Sequence, residues 1–165
     1  MSVLRNLRNE WQMLISSPIK FFVPSVLTVL TGIIVWLSCD GITLVWKTSF
    51  HPSLSIPLWL MTFLCIIIYM MFEFLISIGS VCSVSAELWL KAVVAYFASL
   101  FWYPLTLLAG VGFCGVCAVV ASLAYTLYIL KIYAKLSLLG MIFSVCIIIY
   151  EIYLLYFTVG FTIIN

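Results

Sequence analysis

The sequence predicts an all-α fold, a polytopic transmembrane helical bundle of about five spans preceded by an interfacial amphipathic helix. Three observations carry that prediction. Of 165 residues, 67% are hydrophobic and 7% charged, where a soluble domain runs at about 45–50% apolar and about 25% charged. Mean hydropathy is +1.34. The apolar residues fall in long runs, several reaching the roughly 20 residues that a spanning helix needs. This length and composition fit one integral membrane domain covering 1–165, with no polar stretch large enough for a soluble domain.

The first element is set apart from the rest. Val3, Leu4, Leu7, Trp11, Leu14 and Ile15 recur at helical spacing, and Arg5, Asn6, Arg8, Asn9 and Gln12 fill the other side. This predicts an amphipathic helix over 1–17 lying in the headgroup region, with Arg5, Arg8 and Trp11 as its membrane-surface residues. The same pattern also fits a helix packed on the bundle. Ser17-Pro18 breaks it. The start lacks the short apolar core and small-residue cleavage site of a secretory leader, so the next segment is expected to be an uncleaved span.

That first span is expected over 21–39, with Pro24 in its first turn, where a missing N–H costs little. Asp40-Gly41 ends it, and a loop to Pro57 carries Lys47, His51 and the interfacial Trp46. The second span is expected over 58–78, stopping at Gly79-Ser80.

From Leu88 to Leu130 the only charge is Lys91. As one helix this stretch would run to roughly 65 Å, about twice the hydrocarbon thickness. It must turn back, either at Phe101-Trp102-Tyr103-Pro104 or at Gly110-Val111-Gly112. The expectation is spans over 86–106 and 111–130; a shallow hairpin that stops short of the far side uses the same residues. Lys131 to Lys135 form a cationic break before a last, long span over 138–163. With the amino terminus cytoplasmic, Arg5, Arg8, Lys20, Lys91, Lys131 and Lys135 lie inside and Lys47 alone outside, as the positive-inside rule requires of short loops. An endomembrane such as the endoplasmic reticulum fits this plan, and so does a bacterial inner membrane.

Charges inside a span are functional candidates because they are costly there. Glu151 falls near the middle of the last span and Glu73 within the second. Tyr150 and Tyr153 share a helix face that Glu151 borders obliquely. Two readings follow: a proton or ion site carried by Glu151 with Glu73 or a tyrosine as partner, or a neutral carboxyl that bonds across a helix interface. A third places the charge at a subunit interface. Glu87 and Lys91, four apart with the acid first, form a favourable surface pair.

Cys114-Gly-Val-Cys117 has the spacing of a thiol redox pair. The weightier reading is packing: Gly110, Cys114, Cys117, Ala118, Ala121 and Ala124 make a stripe of small residues at helical spacing, which lets helices approach closely. Most of the six cysteines lie inside apolar runs, where free Cys acts as a small hydrophobe. A single histidine, His51, cannot supply a zinc site, and no nucleotide or metalloprotease motif occurs. No cofactor is expected. Seven Lys and Arg residues are too scattered to bind nucleic acid.

The leading functional expectation is a non-enzymatic accessory or scaffold subunit that packs with other integral membrane proteins in the lipid bilayer. The alternatives are a small proton- or ion-coupled transporter using Glu151, and a lipid-organising or curvature-sensing protein. Intramembrane thiol redox activity is the main enzymatic alternative.

Overall fold

The computed structural model describes residues 2–17, 26–27, 29–31, 33–34, 37, 41, 44–81 and 86–165. Among them every regular element is helical: α1 (Ser2–Ile15), α2 (Leu58–Val81), α3 (Ala86–Tyr103), α4 (Gly112–Leu136) and α5 (Leu138–Ile164). A π-helical turn, Pro104–Leu108, extends α3. The span expected over 21–39 lies largely outside the described residues.

Four of these helices are long and apolar enough to cross a membrane, so the chain is an integral membrane protein. The stretch from Leu88 to Leu130 does fold back, and both legs have spanning length: Leu88–Leu107 and Gly112–Leu136. Pro104 does not reverse the chain. Lacking an N–H and clashing with the preceding turn, it sits where α geometry widens to the π form, and Ala109 N bonds back to Pro104 O at 2.9 Å. The reversal comes at Gly110, whose φ of 65° is left-handed and costs glycine little.

Two boundaries differ from expectation. α2 runs through Gly79 and Ser80 to Val81. The cationic break over 131–135 is instead the last turn of α4, which ends only at Leu136. Lysine is a good helix former and its charge favours a helix C-terminus, so this segment continues the helix. Ser137 is the actual stop. Its backbone is extended and its Oγ accepts Gly140 N at 3.0 Å, opening α5 one residue later.

The four long helices close into a ring: α2 touches α3 and α5, α3 touches α4, and α4 touches α5. The α4–α5 contact is the most extensive, and its pattern is regular. On α4 the buried residues are Gly115, Val119, Ser122, Thr126, Ile129 and Tyr133; on α5 they include Gly140, Ser144, Ile147, Glu151, Leu154, Thr158 and Phe161. Both sets alternate steps of three and four, the heptad seam of side-by-side helices. Small members of the seam bring the backbones close. A Cβ on Gly140 would stand 2.7 Å from the Tyr133 ring, and one on Gly79 2.9 Å from the Tyr133 hydroxyl. Tyr133 thus fills notches in two neighbours, and its hydroxyl donates to Leu75 O at 2.6 Å.

α1 lies at the end of the ring where α4 finishes and α5 starts. Trp11 packs on Phe74 of α2 with ring centroids 5.6 Å apart. Glu10 accepts hydrogen bonds from Ser137 Oγ (2.9 Å), Leu138 N (3.1 Å) and Leu139 N (3.0 Å). A carboxylate therefore caps the first turn of α5, where free N–H groups and the helix dipole favour negative charge. At the opposite end the 49–57 loop closes over α5. Asn165 Oδ1 accepts Phe50 N at 3.0 Å while its Nδ2 donates to Phe50 O at 2.9 Å, and Trp46 stacks on Phe157 at 5.4 Å.

Candidate functional site

Glu151 is the central residue of α5 and is fully buried, with 0% exposure. Its burial follows from register, because it occupies a seam position facing α4. There Ser122 Oγ contacts Glu151 Oε1, and Thr126 Oγ1 stands 3.5 Å from the same oxygen. Ser122 Oγ is also 2.9 Å from Ala95 O on α3, and Thr126 Oγ1 bonds Ser122 O at 2.9 Å. Ser122 therefore links the carboxyl group of α5 to the backbone of α3. Glu151 Oε2 is buried with no hydrogen-bond partner among the described residues.

The aromatic hydroxyls beside Glu151 in sequence go elsewhere. Tyr150 faces α2, its hydroxyl 2.6 Å from Cys65 Sγ. The Tyr153 hydroxyl accepts Ile56 N at 3.2 Å, in the loop before α2. Glu73 is buried in α2 at 6% exposure, but Glu151 takes its partners from α4. The structure does not gather Glu151, Glu73 and the tyrosines into one site. A helix turns about 100° per residue, so adjacent positions such as Tyr150 and Glu151 address different neighbours.

The small-residue stripe also lands differently. Cys114, Cys117 and Ala124 are exposed, and Ala118 and Ala121 are half-buried. Gly110 sits in the turn before α4, where an added Cβ would meet nothing within 4 Å. The α4 face that packs inside the ring is Gly115, Val119, Ser122 and Thr126. Cys114 and Cys117 are both free thiols.

Of the membrane-surface residues, Arg8 is exposed and Trp11 is 43% exposed beside exposed Met13 and Ile15; the Arg5 and Glu87 side chains lie outside the described residues. Lys91 Nζ stands 3.8 Å over the Tyr128 ring, a cation–π contact between α3 and α4. His51 Nε2 is 2.8 Å from Trp46 O. Among the described residues no cluster of histidine, cysteine and carboxylate side chains could hold a metal ion.

Sequence reasoning missed three features. The Gly115-to-Thr126 packing face was signalled by its three-four spacing and by Ser122 and Thr126, hydroxyls in a run with few other polar groups. The Glu10 clamp had no signal, since it joins residues far apart in the chain. Nor did a cavity of about 320 Å³ between the π turn, Gly110 and the end of α5. Glu151 lines neither this cavity nor a second of about 10 Å³ beside Cys65. Comparison with known proteins finds no matching family model, no matching curated protein and no matching solved structure.

Proposed function

We propose that the chain is a non-enzymatic integral membrane subunit, an accessory or scaffold that packs against other membrane proteins. The observation that carries this reading is the outward face of α4. Cys114, Cys117 and Ala124 are exposed, with Ala118 and Ala121 beside them, while the helix spends a separate set of small residues on its own bundle. Small side chains on a lipid-facing surface let a foreign helix come close enough for van der Waals contact and weak Cα–H bonds. Glu151 supports the same reading from the inside, because a fully buried carboxyl held by Ser122 acts as an interhelical tie. We place the α1 end of the ring on the cytoplasmic side of an endomembrane, since Arg8, Lys91, Lys131 and Lys135 lie at that end and Lys47 at the other.

Copurification from mild detergent tests the proposal. A stoichiometric membrane partner is expected, and substituting Ala121→Leu and Ala124→Leu together should release it while the chain stays folded. A monodisperse monomer with no partner overturns the reading.

A second reading, a lipid-organising protein, is favoured by α1 alone. Glu10 fixes that helix to the bundle end while Trp11, Met13 and Ile15 remain exposed, the disposition of an interfacial anchor. Vesicle tubulation or curvature-dependent sorting by the reconstituted chain would support it; equal partition between large and small vesicles rejects it.

A further inference from the structure

Lysines from two helices gather on the outer surface at the α1 end of the ring. On α4, Tyr128, Lys131 and Lys135 are spaced three and four apart, so they share one helix face, and all three are exposed. Lys91 joins that face from α3, its Nζ 3.8 Å over the Tyr128 ring. This cation–π contact fixes where the ammonium group sits. Lys91 lies five residues after Ala86, the start of α3, and Lys131 five residues before Leu136, the end of α4. By helix rise both stand about 7 Å from their helix ends, at one level of two packed helices.

That level is the headgroup layer. α4 has 25 residues, which makes it about 37 Å long against a hydrocarbon core of about 30 Å. Lysine is costly inside the core, so the surplus length belongs at the end that carries Lys131 and Lys135.

Like charges one turn apart on a helix repel. Neither Lys131 nor Lys135 has an ion-pair partner among the described residues. Of the five acidic residues in the chain, Glu10 is engaged at the start of α5, and Glu73 and Glu151 are buried in the ring. Asp40 precedes the loop of the other end in sequence, and Glu87 stands four residues before Lys91. Glu87 can offset one lysine of the three, and the stripe stays cationic.

The surface just below the lysines faces lipid. Leu127 is 50% exposed and Val120 47%, and both continue the Lys131 face down α4. A ligand with phosphate at the level of the lysines and hydrocarbon along Leu127 and Val120 satisfies both halves. Basic pockets between spanning helices hold anionic headgroups in this manner. We propose that the surface formed by Lys91, Tyr128, Lys131 and Lys135 binds the phosphate headgroup of an anionic glycerophospholipid, its acyl chains lying along α4. This binding needs no protein partner, so it stands or falls apart from the accessory-subunit reading.

Native mass spectrometry of the full chain in mild detergent tests the site, with dioleoylphosphatidic acid, dioleoylphosphatidylcholine and inorganic phosphate as probes. One saturable adduct with phosphatidic acid is expected, roughly tenfold or more tighter than with phosphatidylcholine. Lys131→Gln and Lys135→Gln should each weaken it roughly fivefold, the worth of one lysine at an anionic surface. Lys131→Arg should keep it, and so should Lys47→Gln at the opposite end of the ring. Tyr128→Phe retains the ring under Lys91 and should bind as the parent does, whereas Tyr128→Leu releases that lysine and should bind severalfold more weakly. Equal retention of phosphatidylcholine overturns the assignment, as does an equal loss in Lys47→Gln. Displacement of the lipid by inorganic phosphate at matched concentration also overturns it, because the site would then hold a free anion with no part for the acyl chains.

Discussion

Ser122 and Glu151 touch at the middle of the α4–α5 seam, and the serine hydroxyl stands at the same time 2.9 Å from Ala95 O on α3. A hydroxyl has one hydrogen. With an ionised carboxylate, Ser122 can serve either the glutamate or the Ala95 carbonyl, and one contact is left as oxygen facing oxygen. Thr126 offers no relief, because its own hydrogen goes to Ser122 O at 2.9 Å. A neutral Glu151 carboxyl closes the chain, with a hydrogen in each link from α5 through α4 to α3. Infrared spectra of the reconstituted protein should therefore contain the C=O band of a protonated carboxylic acid that Glu151→Gln removes. Its absence in the parent shows an ionised Glu151 and puts the carrier reading ahead.

The same geometry separates three substitutions. Glutamine keeps an N–H donor at this position, so Glu151→Gln should stay within a few tenths of a kcal/mol of the parent. Glu151→Leu has no donor and forces a branched side chain beside Ser122, at a cost of roughly 1 kcal/mol, typical of interhelical bonds in membranes. Glu151→Asp is too short to reach Ser122 without shifting the helix and should resemble leucine. Thermal unfolding in detergent ranks the three; a leucine variant as stable as the parent removes Glu151 from the list of structural ties.

Glu10 makes a parallel case at the bundle end. Its carboxylate receives two backbone N–H groups of α5 and the Ser137 hydroxyl. Glu10→Gln retains the shape but loses the negative charge at the helix start, and Glu10→Ala loses the cap. The expected costs are about 0.5 and about 1 kcal/mol. Hydrogen exchange at Leu138 and Leu139 should rise in the same order, and α1 should become sensitive to protease. Protection unchanged in Glu10→Ala would mean that Ser137 caps α5 by itself.

Legibility of this chain divides by range. Helices whose limits come from composition were readable: the expected spans over 58–78 and 138–163 lie within a few residues of α2 and α5, and 86–106 and 111–130 lie on the two legs meeting at Gly110. In lipid a helix must satisfy its own backbone, so an apolar run leaves one local answer. Rotation about the axis was not readable. Cys114 and Gly115 differ by one residue, yet one is exposed and the other buried. Both faces of α4 carry small residues, and apolar side chains suit lipid and interior alike, so hydrophobicity cannot choose between them. The discriminating signal was polar: Ser122 and Thr126 mark the inward face. Glu151 was recognisable as the important carboxyl, and its partners, on another helix, were not.

Thiol reactivity measures that rotation directly. Cys65 is buried against Tyr150, whereas Cys114 and Cys117 are exposed. A lipid-soluble thiol reagent should modify Cys114 and Cys117 in the folded protein and leave Cys65 untouched until denaturation. Protection of Cys114 and Cys117 in native membranes that disappears on solubilisation would identify a partner helix over them. Modification of Cys65 before the pair would show the assigned faces of α4 and α2 to be wrong.

The glycines of the seam give the strictest test. A Cβ on Gly140 would lie 2.7 Å from Tyr133 Cδ1, inside any real contact distance, and one on Gly115 would collide with Thr106. Neither neighbour has room to yield: Tyr133 is fully buried with its hydroxyl tied to Leu75 O, and Thr106 is buried as well. Overpacking of this kind costs about 1–3 kcal/mol. Gly140→Ala and Gly115→Ala should each destabilise the detergent-solubilised chain by that amount, against the helix-propensity gain of about 1 kcal/mol that alanine otherwise brings. On the outward face the sign reverses: Ala124→Leu adds apolar surface toward lipid and should leave unfolding unchanged within about 0.5 kcal/mol. If Gly115→Ala stabilises the protein while Ala124→Leu destabilises it, α4 is rotated from the orientation described, and the face proposed to receive a partner is the one already packed on α5.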